Sequence, residues 1–286
     1  MLHRGFIFSI VLLTAFGGQT GDAQVPTPAP LFVNAGAAAD RAPRAHLAPG
    51  SVRSRATGIA PSALQSDQLL LELFPDTSVQ AELVSREVNR DGSLSWSGRV
   101  PGQPLSSVTF VQTGSVLQGS VRLDDGAYSI EPAAGLRAHA IRQVNPGPPG
   151  EERVPLQAPV APQADALSAL ANNSDDGSII DILVVYTAAA RAAAGGTDEA
   201  IRARIMLGVT ETNTAYANSG VVPRLRLVGA EPIDYTEGSD IGLDLERVTG
   251  VDEGFMDGVH ARRDQLGADL VSLIVENGSA RAAWRG

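Results

Sequence analysis

The sequence predicts an α/β unit over residues 178–286, a mostly parallel sheet with helices against it, preceded by a small antiparallel β domain over residues 67–145. Three observations predict it. Residues 67–145 are short alternating runs broken by tight-turn signals such as Asp91-Gly92, the pattern of consecutive hairpins. Residues 179–186 are almost unbroken apolar sequence, which suits a strand buried on both faces. Pro-rich stretches at 24–66 and 146–177 set the two regions apart, and such stretches do not sustain regular ladders.

In chain order, His3 and Arg4 give a short positive start, and residues 6–16 form an apolar run too short to span a bilayer. Gly21-Asp22-Ala23 then offers small residues at the positions a signal peptidase reads. Residues 1–23 are thus expected to be a signal peptide cleaved between Ala23 and Gln24, against the alternative of a buried helix. That places the chain in the secreted or periplasmic space. No later run is long and apolar enough for a membrane helix, so no stable membrane anchor is expected.

Residues 24–66 are rich in Ala, Pro, Gly and Arg without periodicity and are expected to be a disordered linker. Strands are then expected at 69–74, 79–88, 93–100, 108–111, 116–123 and 127–130, with Asp124-Asp125-Gly126 as a second tight turn. In the 146–177 linker, Asn172, Asn173, Ser174, Asp175, Asp176 and Gly177 make a polar stretch between two cores. It is the candidate processing site, because exposed segments of that composition are where proteases cut.

In the last region Thr197 is an expected N-cap, with Asp198 and Glu199 in the favourable first turn. Ile201, Ile205, Val209, Thr212 and Tyr216 recur at helical spacing, and Gly220 supplies the stop. Further elements are expected as a strand at 225–228, a helix at 255–266 ending at Gly267, and a buried strand at 270–275. Strand and helix in alternation imply parallel pairing.

Composition narrows the chemistry. The net charge is −10 and the pI about 4.9, which argues against nucleic acid as a partner. All 22 basic residues are Arg, so a phosphate loop with its Lys is excluded. There is no Cys, which excludes disulfides, thiolate metal sites and a Cys nucleophile. No Gly-x-Ser-x-Gly elbow and no Gly-x-Gly dinucleotide fingerprint occurs. The four histidines, His3, His46, His139 and His260, are not within a helical turn of one another and none precedes a Glu. A helical zinc motif needs two His four residues apart with a Glu beside them, so the sequence nominates no catalytic and no metal-binding residue. Asp244, Glu246, Asp252, Glu253 and Asp257 make an acidic region, which helix dipoles account for, with a calcium site as the alternative.

Residues 180–187, then Thr212-Asn213, Tyr216 and Ser219-Gly220, and above all 256–271 (Met256-Asp257-Gly258-Val259-His260 through Val271) resemble the start of a metzincin catalytic domain of the reprolysin-like class, nearest to secreted bacterial metallopeptidases of the peptidyl-Asp type. Ser95-Trp96-Ser97-Gly98, Gly119-Ser120-Val121 and residues 128–132 resemble the propeptides of such enzymes. The resemblance implies peptide-bond hydrolysis by zinc-activated water, with protein or peptide substrates, in full-length relatives. It also implies that this chain is a zymogen-like precursor fragment, truncated before the zinc motif, inactive, and not expected to bind zinc. A secreted, non-catalytic binding or inhibitory protein is the alternative. In the family the zinc helix covers one face of the sheet, so residues 178–286 are expected to leave an apolar face bare.

Overall fold

The computed structural model describes residues 27–35, 51–133, 138–145, 178–238, 240–276 and 284–285. They are mostly β-sheet with few helices. The larger sheet has ten strands: β1 (Ala29–Pro30), β2 (Phe32–Val33), β3 (Ser51–Ile59), β4 (Gln68–Phe74), β5 (Thr77–Val88), β6 (Leu94–Arg99), β7 (Ser107–Thr113), β8 (Val116–Leu123), β9 (Gly126–Pro132) and β10 (His139–Val144). Its order is β1-β4-β5-β6-β7-β8-β9-β10-β3-β2. Because β1 and β2 are separated by Leu31 alone, one short segment touches both ends of the sheet and nearly closes it into a barrel. Leu31 completes the seam with both backbone groups: its N–H donates to Leu70 O at 3.2 Å and its carbonyl accepts from Ala60 N at 2.8 Å. Closure removes the exposed edges an open sheet would carry.

Four elements of this seam, β1 and β2 among them, depart from the disordered linker expected at 24–66. Residues 51–59 are a strand, and 61–65 a short 3-10 helix whose Leu64 is fully buried. The reason is that β3 turns Arg53, Arg55 and Thr57 inward while Val52 and Ser54 face out, so no apolar alternation marks it. The arginines bridge the gap to β4. Arg55 donates to Leu73 O at 2.6 Å and to Glu72 O, and Arg53 pairs with Asp76 at 2.7 Å with its guanidinium 4.0 Å above the Phe74 ring.

The barrel core is organised by cross-strand pairing. Trp96, Phe110, Gly119, Ile130 and Ile141 are successive register partners across β6 to β10, and the four side chains in that row are fully buried. The Trp96 and Phe110 rings lie 6.3 Å apart, within the range of favourable aromatic pairs.

The second sheet contains β11 (Ile179–Tyr186), β12 (Arg224–Pro232), β13 (Leu270–Ile274) and β14 (Trp284–Arg285) in the order β12-β11-β13-β14. The first three are parallel and β14 is antiparallel to β13. Among the described residues four α-helices accompany it: α1 (Ala188–Ala193), α2 (Asp198–Asn218), α3 (Ile241–Thr249) and α4 (Gly258–Leu266). Thr187 and Thr197 cap α1 and α2, each accepting at 3.1 Å from the amide three residues on. Gly220 and Gly267 follow α2 and α4 at φ +71° and +64°, the left-handed stop that glycine supplies. Helix α4 starts three residues later than the spacing suggests, because the Asp257 carboxylate accepts from Glu253 N and Gly254 N and holds the preceding chain as a loop.

Side chains of β11 alternate between two apolar layers. Ile182, Val184 and Tyr186 pack with Ile201, Ile205, Met206 and Val209 of α2. Leu183 and Val185 pack with Val248 of α3, Met256, and Val259 of α4. Both faces of the central strand β11 are therefore covered, whereas in β13 beside it only Ser272 is buried and Leu270, Val271, Leu273 and Ile274 stay partly exposed. Helix α3, which apolar spacing did not bring out, supplies part of that cover. The far side of α2 meets the barrel: Val111 of β7 is fully buried in the same cluster as Ile201 and Ile205, with Val116 of β8 beside it.

Candidate functional site

Ala23 and Gln24, and the candidate processing residues Asn172, Asn173, Ser174, Asp175, Asp176 and Gly177, lie outside the described residues, as do His3 and His46. The two described histidines are committed elsewhere. The His139 ring sits inside the barrel, where Nε2 accepts from Leu117 N at 3.0 Å. His260 on α4 has Nε2 2.7 Å from Gly250 O. Neither is bonded to a hydroxyl or carboxylate, so the described residues form no Ser–His type nucleophile pair. Among the described residues no three His, Asp or Glu side chains come close enough to hold a metal. The described residues therefore do not supply a zinc ligand set. The acidic region is likewise dispersed: Asp244 is buried against Tyr235, while Asp257 serves the loop before α4.

What the fold does build is a cleft of about 380 Å³ at the carboxyl ends of β11 and β12, walled by Val185, Glu231, Ile233, Phe255, Met256 and Arg262. Ends of this kind are where open α/β sheets take ligands. The Arg262 guanidinium clasps Glu231, with Nε at 2.9 and 3.0 Å and a terminal nitrogen at 2.6 Å from its carboxylate oxygens. Phe255, about half exposed, carries the Arg247 guanidinium 4.0 Å above its ring, a cation–π contact. The cleft thus joins apolar walls to the Glu231–Arg262 ion pair.

The loop between β12 and α3 is fixed by buried carboxylate chemistry. Asp244, fully buried, accepts from the Tyr235 hydroxyl and from Gly238 N at 2.7 Å, and Arg247 donates to the Tyr235 oxygen at 3.0 Å. Burial first, and then the bond to Asp244, hold the Tyr235 phenol above its usual range. Glu237 accepts from Thr187 Oγ1 and from Glu276 N at 2.9 Å, so one side chain links the ends of β11 and β13. Glu237 and Tyr235 carried no sequence signal, and Asp244 was expected as part of an acidic region with a helix-dipole role, or a calcium site as the alternative, rather than as a buried acceptor. The available signal was Asp244 on the apolar side of a short amphipathic helix.

A family model described as reprolysin-like, metallo-peptidase family M12B, matches residues 177–285. The chain belongs to the reprolysin-like metallopeptidases. Among curated relatives, a peptidyl-Asp metalloendopeptidase of Stenotrophomonas maltophilia strain K279a is 30% identical over 239 residues, covering 76% of this chain and 55% of the relative. One of strain R551-3 is 32% identical over 241 residues, with the same coverage. One from Pseudomonas aeruginosa is 44% identical over 96 residues, covering 33% of this chain and 15% of the relative. The chain therefore spans about half the length of the two Stenotrophomonas relatives. The reprolysin-like unit comprises β11 to β14 with α1 to α4. A match over 76% of the chain cannot be contained in that unit, so it takes in the barrel as well.

Proposed function

We propose that this chain is the precursor form of a secreted metalloendopeptidase, in which the barrel is the propeptide domain and residues 178–286 are the front part of a metzincin-like peptidase domain. The observation that carries the reading is the common match of barrel and reprolysin-like unit to peptidyl-Asp metalloendopeptidases. On this reading residues 1–23 are removed on export, 146–177 is the processing segment, and protein or peptide substrates are those of the longer relatives. Zinc hydrolysis needs a ligand set that these 286 residues do not contain in its helical form, so the chain by itself is a structural precursor without peptidase activity.

Two measurements test this. Mass spectrometry of protein exported from a bacterial host is expected to find Gln24 as the first residue, and a later species beginning within 172–178; retention of Met1 overturns the export reading. Purified chain incubated with casein, with and without a chelator, is expected to give no chelator-sensitive cleavage. Chelator-sensitive activity that copurifies with the chain overturns the assignment as an inactive precursor.

A further inference from the structure

We infer that the barrel is a noncovalent partner of the reprolysin-like unit, so that the two pieces stay joined through α2 after the chain is cut between residues 146 and 177. This deepens the precursor reading and rests on it only for the place of the cut.

The contact has the character of a core. Val111 of the barrel is fully buried among Ile201, Ile205 and Met206 of α2, and Val116 packs on the same cluster. A hydrogen-bonded chain crosses beside it: Asn89 Nδ2 donates to Ser95 Oγ at 2.9 Å, Ser95 meets Thr210 Oγ1 at 3.0 Å, and Thr210 donates to Met206 O at 2.8 Å. At the end of α1, Gly195 lets the barrel approach, since a Cβ there would lie 2.9 Å from the Pro132 ring. Apolar burial of this kind does not depend on chain continuity.

The same geometry says what the retained barrel leaves open. Strand alternation puts Ile182, Val184 and Tyr186 toward α2 and the barrel, and Leu183 and Val185 toward α3 and α4. The cleft opens on the Val185 side. The barrel is therefore a partner seated behind the sheet, with the cleft free, rather than a plug in it.

The test inserts a site-specific protease sequence between Pro162 and Gln163 of the full chain, cuts it, and measures mass by size exclusion with light scattering. One species holding both pieces in equal amounts is expected. Two separated pieces, or one piece precipitating while the other stays in solution, overturn the inference. Val116→Asp on the barrel and Thr210→Asp on α2 are each expected to weaken the association of the cut pieces by at least about tenfold, one decade of dissociation constant. Val52→Asp, on the exposed side of β3, is expected to leave it unchanged. Circular dichroism melts of the uncut variants verify folding; if both interface variants fold and bind as tightly as the parent, the assigned surface is wrong.

Discussion

Ser95 on β6 and Thr210 on α2, 115 positions apart in sequence, bring their hydroxyl oxygens within 3.0 Å. Thr210 spends its proton on Met206 O, so Ser95 is the donor in the pair. The helix therefore reads the barrel through a polar contact as well as an apolar one.

The pair is expected to be energetically coupled. Ser95→Ala and Thr210→Val each remove one partner of a partly buried bond, and the double variant removes both. Denaturant melts of the four chains should give a coupling of about 1 kcal/mol. Additive losses would mean the two hydroxyls do not support one another.

Glycine placement in the barrel follows from its aromatic row. A Cβ on Gly119 would lie 2.4 Å from Phe110 Cδ1, and one on Gly98 would lie 2.4 Å from the Trp96 ring. Both rings are fully buried and cannot retreat. Gly119→Ala should cost about 1–3 kcal/mol through overpacking. Gly208→Ala, on the exposed side of α2 with nothing within 4 Å of the added carbon, should instead stabilise by about 0.5–1 kcal/mol. Opposite shifts in thermal midpoint are the readout; a tolerated Gly119→Ala would mean the Phe110 ring has room to move.

Asp244 holds the loop above the cleft. Asp244→Ala removes the shared acceptor of the partly buried Gly238 amide and Tyr235 hydroxyl, which should cost about 2 kcal/mol. Tyr235→Phe leaves the Gly238 bond intact and should cost about 1 kcal/mol. If the two variants melt alike, Asp244 is not the hub of this loop.

How far the sequence could be read depends on which force made each element. Strands such as β5, β7 and β8, and the caps Thr197, Gly220 and Gly267, were legible because periodicity and local backbone chemistry specify them. Strand β3 was not, because charge pairing of Arg53 and Arg55 holds it rather than apolar alternation. The β1–β2 seam was too short for any periodicity, and only tertiary closure makes Leu31 a core residue. In the cleft, Glu231 and Arg262 are 31 positions apart, a separation at which one sequence carries no pairing signal. The motifs Ser95-Trp96-Ser97-Gly98 and Gly119-Ser120-Val121 stood out as resemblance first, and the packing of Trp96 against Gly98 and of Phe110 against Gly119 gives their physical reason.

The final expectation concerns acid. His139 is almost fully buried, and its Nε2 accepts the Leu117 amide, so the neutral ring carries its proton on Nδ1. Burial alone pushes its pKa down to about 4 from an ordinary 6.5. The folded ring thus resists a proton that the unfolded ring accepts. Between pH 6.5 and 4 the unfolded state binds more protons, so stability is fully present above about pH 6.5 and falls as the pH drops toward 4. A depression of this size corresponds to about 3 kcal/mol by the bottom of the window. Protonation would also place a second N–H against Leu117 N, next to Val116 on the α2 contact, so loss of the Leu117 bond reaches the barrel–helix interface. His139→Gln keeps an acceptor near the amide without a titrating group. Urea midpoints measured from pH 7.5 to 4 should fall steeply in the parent chain and more shallowly in His139→Gln, with the difference confined to that window. Parallel pH profiles would show that other groups, the many carboxylates first among them, govern the acid response.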